Sequence, residues 1–183
     1  MMQQHDELEP ACSETVDDQV RHLFRRYSST TRLAGLLDLL DGLACLEEPA
    51  VFWSIFDQVW SSCDATWEHG RRAIQQLERA GHCGEFLGCE DKKFYSALPE
   101  QVKVYRGCSR ARVKGISWTT DMAVAEDFAQ GHRGIRVPRP VLAKAVIYKG
   151  DILTVSSHRG EAEVLLNPNR LAGLSVCPFA ECA

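Results

Sequence analysis

The feature of this 183-residue sequence that most constrains its fold is a change of hydrophobic pattern near residue 100. Before that point, apolar residues recur at the three- and four-residue spacing of amphipathic helices. After it, short runs rich in β-branched residues are separated by glycines, a pattern typical of sheet strands. The sequence therefore predicts an α+β fold, with a helical N-terminal part followed by a mixed, largely antiparallel β part.

Three helices are predicted in the first part. Leu33 to Ala44 follows a run of serines and threonines that can cap a helix, and a second helix begins at Pro49 and ends near Ser62. A third spans Asp64 to Ala80 and stops at Gly81. We expect the aromatic residues here to form core rather than a stacking platform for a ligand. The domain prediction is an acidic, disordered tail over 1–15, a helical subdomain over 16–95 and a β core over 96–183.

Five strands and one further helix are predicted in the second part. The helix begins after Thr120 or Asp121 and is closed by Gly131, and the segment 131–140, which holds Arg133, Arg136 and Arg139, is predicted to be a loop. The arginines of that loop could bind the phosphate groups of a ligand or contact a target protein. The predicted strands are Val102 to Tyr105, Gly115 to Thr119, Val141 to Tyr148, Ile152 to Val155 and Ala162 to Leu166.

Composition narrows the class of protein. With 45% apolar and 25% charged residues, the chain can bury a core. It has no apolar run of the roughly 18 to 20 residues that a membrane helix needs, and its first ten residues lack the features of a secretion signal. Its eight cysteines never form a Cys-x-x-Cys pair. We therefore expect reduced thiols, a cytoplasmic protein and no membrane partner, with delivery into another cell as a toxin or effector left open.

Charge is uneven along the chain. Residues 101–160 hold eleven lysines and arginines against four acids. Such an excess attracts a phosphorylated ligand or nucleic acid, although an ordinary solvated face has the same composition. No nucleic-acid motif accompanies it, so we do not expect nucleic acid as the main partner. His82, Cys83 and Cys89 lack the spacing of a zinc site, so no metal is expected, and Cys108 is interpreted as a buried thiol rather than a nucleophile.

Two acidic residues stand near the end of the β part. Glu161 and Glu163 are two positions apart on a predicted strand, so their side chains should leave the same face and converge on one ligand. Two like charges this close cost free energy unless cations such as Arg106 or Arg159 compensate them. Such a cost often marks a functional site.

Three segments in this part resemble, in chain order, the arginine, serine and glutamate-x-glutamate motifs of the mono-ADP-ribosyltransferase family of toxin type. The resemblance covers about residues 100 to 170. The middle motif has Ser-Trp-Thr where the family has Ser-Thr-Ser, a departure that bears on Thr119 more than on Ser117. The segments are Val104-Tyr105-Arg106-Gly107, Gly115-Ile116-Ser117-Trp118-Thr119-Thr120-Asp121 and Gly160-Glu161-Ala162-Glu163-Val164-Leu165-Leu166.

The resemblance implies a split-sheet core and an enzyme that transfers ADP-ribose from NAD to a protein side chain, with arginine as the expected acceptor and nicotinamide as the product. In its terms, Glu163 stabilises the charge that develops on the ribose, Ser117 steadies Glu163, and Glu161 orients or deprotonates the acceptor. Arg106 grips the NAD phosphates, and the backbone of Gly107 faces the nicotinamide. The other NAD contacts implied are Ser117, Trp118, Thr119 and Phe128.

NAD is thus expected as a substrate, and an unidentified acceptor protein as the partner. Two alternatives stay open at this point. An NAD glycohydrolase would use the same Arg106, Ser117 and Glu163 but let water attack. A catalytically inactive member of the fold would bind a partner through its helical part.

Overall fold

Five α-helices precede the sheet in the structure, a computed structural model that describes residues 15–42, 49–81, 83–131 and 136–181. The three predicted helices are confirmed, although the predicted extension to Ala44 and nearly all of the predicted tail lie outside the described residues. Two further helices were not predicted. The five are α1 (Val16–Arg26), α2 (Arg32–Gly42), α3 (Pro49–Trp60), α4 (Thr66–Ala80) and α5 (Cys89–Ala97).

Six strands form one sheet in the described part of the chain, in the order β4-β5-β2-β1-β3-β6. Helices followed by one sheet confirm the α+β prediction. The prediction of a mixed sheet is wrong for the described strands, because every pairing among them is antiparallel. The strands are β1 (Gln101–Ser109), β2 (Ser117–Thr119), β3 (Pro140–Tyr148), β4 (Ile152–Ser156), β5 (Glu163–Leu166) and β6 (Ala172–Pro178).

The middle of the sheet is weakly joined. β1 pairs with β3 along its whole length, from Gln101 to Ser109, but it meets β2 only where Tyr105 faces Thr119. Backbone groups of β2 beyond this single pair therefore need partners other than β1. The sheet consists of two three-stranded halves joined at one position, and the gap between β1 and β2 is available to side chains.

Two buried clusters lie on the two faces of the sheet. The first joins the side chains of α1 to α4 with Ile116 and Leu165. The second joins Trp118 and Val164 with further residues of β1, β3 and β4, and is covered by Phe94 of α5. Because side chains alternate along a strand, neighbours such as Val164 and Leu165 enter different clusters. The helical part is thereby anchored on the face from which Leu165 projects.

The last helix, α6 (Met122–Gln130), connects β2 to β3 and is defined by its caps. Asp121 Oδ1 accepts a hydrogen bond from the Ala123 amide at 2.9 Å, and Gly131 ends the helix with a φ of 103°. Both caps were predicted. The helix packs on β1 at Gly107, where a Cβ atom would lie 1.7 Å from the carbonyl oxygen of Ala125.

The cysteines of the described part of the chain are not all in the same state. Cys63, Cys83, Cys89 and Cys108 are free thiols, but Cys177 is disulfide-bonded, so the prediction of reduced cysteines throughout is wrong at this position. Within the described ranges, no helix has the length and apolar character that crossing a membrane requires.

Candidate active site

The three sequence motifs converge on one cleft of about 240 Å³ between the helical part and the sheet. Residues from the end of α3 and the start of α4 form one wall. The other wall comes from β1, β2, α6 and the segment before β5. All the predicted site residues border this cleft: Arg106, Gly107, Ser117, Trp118, Thr119, Phe128, Glu161 and Glu163.

Glu163, the first residue of β5, is held at both carboxylate oxygens. Its Oε1 accepts a hydrogen bond from the Ser117 hydroxyl, and its Oε2 accepts one from Trp60 Nε1 at 3.0 Å. The β2–β5 register places Ser117 opposite Leu165 and Thr119 opposite Glu163, so Ser117 and Glu163 project from the same face. The carboxylate therefore has a fixed orientation, because each oxygen has its own donor.

Burial dominates the ionisation of Glu163 and raises its pKa above the usual value for a glutamate. The hydrogen bonds from Ser117 and Trp60 act in the opposite direction, the charge of Glu161 raises the pKa further, and that of Arg106 lowers it. A carboxylate with little water around it interacts strongly with any positive charge placed nearby. This environment suits a group that must stabilise a developing cation.

Arg106 fills the gap between β1 and β2. Its Nη1 donates to the carbonyl oxygen of Ser117, and its Nε donates to that of Arg112 at 3.2 Å. Burial lowers the pKa of Arg106, although a guanidinium stays charged in proteins. A Cβ atom at position 115 would lie 2.4 Å from its Nη2, so Gly115 leaves the space that this side chain occupies. Arg106 thus supports the strand that carries Ser117 and also borders the cleft.

Glu161 does not lie on the same strand as Glu163, and that prediction is wrong. β5 begins at Glu163, and Ala162 has a φ of 44°, outside the extended region. The Thr119 hydroxyl donates to the Glu161 carbonyl oxygen at 2.7 Å, and the Thr120 amide donates to that of Ala162 at 3.1 Å. These bonds bend the segment over the end of β2. Both glutamates still border the cleft, but from different backbone conformations.

The departure from the family pattern in the middle motif has a structural counterpart. The indole of Trp118 is 2% exposed, belongs to the second cluster and donates to the Gly115 carbonyl oxygen at 2.9 Å. This position fits a core role better than the predicted contact with NAD. Thr119 accepts a hydrogen bond from the Asp121 amide at 3.0 Å as well as donating to Glu161. Its hydroxyl therefore shapes the backbone on both sides of the site.

Gly107 and Phe128 lie where β1 meets α6. The close approach of Ala125 gives a packing reason for glycine at position 107, beside the predicted approach to a ligand. Phe128 is 36% exposed and borders the cleft. Of the loop arginines, Arg136 borders the cleft and Arg133 lies outside the described residues.

Basic and acidic side chains both border this cleft. Apart from Arg106 and Arg136, its border carries Arg112, His158 and Arg159, against the acids Asp64, Glu161 and Glu163. The arginines on this border outnumber the acids by one. An anionic ligand that carries one cationic group would match this arrangement.

The helical part contributes side chains to the cleft that were not predicted from the sequence. Trp60 was assigned to the core, where it indeed lies at 4% exposure, yet its N–H also reaches Glu163 across 103 residues of sequence. The segment Ser61 to Trp67 forms the rest of this wall. No local pattern marks these residues as part of a site, because their role arises only when α3 packs on the sheet.

A second group missed by sequence analysis joins Asp57 of α3, Asp91 of α5 and His158. Their ligand atoms lie within 4.8 Å of one another. Asp91 is buried and accepts a hydrogen bond from the Ser157 amide at 2.6 Å, and His158 Nε2 lies 3.9 Å from Asp57 Oδ1. These contacts anchor the segment that leads to Glu161. No other feature of the group indicates a ligand.

Comparison of the chain with protein-family models, with curated proteins and with solved structures found no match.

Proposed function

We propose that this protein is an NAD-dependent mono-ADP-ribosyltransferase that moves ADP-ribose from NAD to a protein side chain, with arginine as the acceptor residue. The observation that carries the proposal is the geometry around Glu163. A partly buried carboxylate, fixed at both oxygens, shares one cleft with the charged Arg106 and a second acid, Glu161. The three motifs that resemble the transferase family supply these same residues.

The chemistry of the reaction matches this arrangement. When the bond between the ribose C1′ and nicotinamide breaks, its electron pair leaves with nicotinamide, and positive charge develops on the ribose ring. A preoriented carboxylate beside the ring stabilises that charge most in the transition state. Glu163 would play this part, because Ser117 and Trp60 already hold it and little reorganisation is needed as the charge forms.

The two ends of NAD call for different surroundings. Its diphosphate would be drawn to the arginines that border the cleft, of which Arg106 lies nearest the serine motif. The nicotinamide would lie along the backbone at Gly107, with Phe128 exposed beside it. NAD is an anion overall with a cationic nicotinamide ring, and this mixture of charges resembles that of the cleft.

Glu161 favours transfer over hydrolysis. In transfer, a nitrogen of the acceptor forms the new bond to C1′ and gives its proton to a base, for which Glu161 is the second carboxylate in the cleft. An NAD glycohydrolase would need only water at that position. The bend at Ala162 points to a dedicated position for Glu161, because the hydroxyl of Thr119 holds its backbone.

Incubation of the purified protein with a cell lysate and NAD labelled in its adenylate half tests the proposal. Label on protein, together with released nicotinamide, is the expected result. Free ADP-ribose alone would instead support a glycohydrolase. Unchanged NAD at every pH and with every lysate would contradict both enzymatic functions and leave the inactive binding module.

A further inference from the structure

We infer that Trp60 is a positioning residue for Glu163, so that the helical part supplies a group without which the cleft is incomplete. This inference rests on the function proposed above. Trp60 is the last residue of α3, and its Nε1 lies 3.0 Å from Glu163 Oε2. Ser117 occupies the other oxygen. An indole has a single donor, so Trp60 can hold only this oxygen, and the two donors together set the orientation of the carboxylate.

The packing of Trp60 holds that donor in place. Its ring stacks on Phe56 with centroids 5.2 Å apart and planes at 18°, and Phe56 in turn stacks on Phe52 at 6.2 Å. All three rings are nearly buried. Such a column leaves the indole little freedom to rotate, because each ring fills the space beside the next. Glu163 therefore meets a donor whose position is set before any ligand binds.

A second tryptophan in the same helix shows what an indole does there without this role. Trp53 is 3% exposed and contacts Phe52 and Phe56 edge to face, and its buried Nε1 has no hydrogen-bond partner among the residues that the structure describes. The core of α3 therefore accommodates an indole whose N–H is unused. The bond at Trp60 is not a general consequence of placing tryptophan in α3.

The charges around Glu163 give the hydrogen bond an energetic role. Burial raises the pKa of Glu163, and each donor that bonds the ionised form lowers it. Arg106 adds a favourable charge and Glu161 an unfavourable one. Cys63 lies close, but burial raises its pKa to about 12, so it stays neutral. The other titratable side chains that border the cleft are Asp64, Tyr105, Cys108, Arg112, Arg136, His158 and Arg159.

The matched variants Trp60→Phe and Trp53→Phe isolate the bond. Each replaces a buried indole with a smaller ring, but only the first removes a donor from Glu163. We expect Trp60→Phe to move the acid limb of the NAD-turnover profile upward by about one pH unit, the order expected for one hydrogen bond to a charged group. At a fixed pH below both the parental and the shifted limb, kcat should fall about tenfold with a smaller change in KM. Trp53→Phe should keep the parental profile.

The outcomes separate this inference from the proposed function. If the parent turns over NAD and the two variants share its profile, Trp60 does not position Glu163, while the transferase proposal stands. If the parent does not turn over NAD, the inference is still tested by the pKa of Glu163. This pKa is measured from the carboxyl resonance of Glu163, which is assigned by comparison with Glu163→Gln. The inference then requires a higher pKa of Glu163 in Trp60→Phe than in Trp53→Phe, and equal values overturn it.

A measurement on the unaltered ring covers the case in which Trp60→Phe does not fold. The indole N–H resonance of Trp60, assigned in the parent protein, should shift with pH as Glu163 ionises. In Glu163→Gln that pH-dependent shift should disappear. An indole resonance that titrates identically in both proteins would show that Trp60 does not donate to Glu163.

Discussion

Replacing Glu163 with glutamine should separate catalysis from folding. The amide can keep both hydrogen bonds, because its oxygen accepts from Trp60 and its NH2 group donates to the Ser117 hydroxyl, which can turn to accept. What is lost is the negative charge. We expect NAD turnover to fall at least about a hundredfold, or about 2.7 kcal/mol of transition-state stabilisation, the scale found when one preorganised group is removed from a site.

The effect of the same change on stability has a defined sign. Because burial raises the pKa of Glu163 in the folded state, ionising it costs folding free energy above the pKa of the unfolded chain. Glu163→Gln removes that cost. At neutral pH the variant should therefore unfold at an equal or higher temperature than the parent. The difference should shrink as pH falls through the raised folded-state pKa and should vanish below the unfolded pKa, where Glu163 is neutral in both states.

Two assays check the reasoning together: nicotinamide release measured against pH, and thermal unfolding at the same pH values. Turnover within about threefold of the parent would refute the catalytic assignment of Glu163. A variant that is less stable than the parent at pH 7 and regains stability in acid would refute the electrostatic argument, since that pattern belongs to a carboxylate that stabilises the fold.

Three further substitutions test the site and its packing, two of them with a matched control variant. Arg106→Lys should weaken NAD binding at least about tenfold by calorimetry, because a lysine cannot keep the bonds to Ser117 and Arg112, while Arg110→Lys outside the cleft should not. Glu161→Gln should abolish ADP-ribose on protein but spare part of NAD hydrolysis; parallel loss of both would contradict separate roles for the two glutamates. Gly107→Ala should lower the free energy of unfolding by about 1–3 kcal/mol in a denaturant titration, whereas Gly150→Ala, with open space around it, should change it by less than about 0.5 kcal/mol.

Most of the helices and strands that could be predicted from sequence are those whose buried apolar residues recur at a regular spacing. Helices α2, α3, α4 and α6 and the first five strands were predicted within a few residues. Helices α1 and α5 were missed because few of their residues are apolar: in α1 these are Val16, Val20, Leu23 and Phe24, of which only Leu23 is fully buried. Strand β6 is largely exposed and shows no alternation of burial.

The residues of the candidate site also divide into those that could be predicted from sequence and those that could not. Its β side was predicted because the motifs place Arg106, Ser117 and Glu163 within short, recognisable segments, and the structure brings all three to one cleft. The position of Glu161 was wrong because strand alternation fails where Ala162 leaves the extended region. The part played by Trp60 could not be predicted, because it depends on how α3 packs against β5 rather than on its neighbours in sequence.

The most direct test of the central claim is mass spectrometry of lysate proteins after treatment with NAD and either the parent protein or Glu163→Gln, searched for ADP-ribose on every residue type. The account predicts ADP-ribose on arginine with the parent and none above background with the variant. An absence of modified residues with the parent, or equal modification with both proteins, would contradict it.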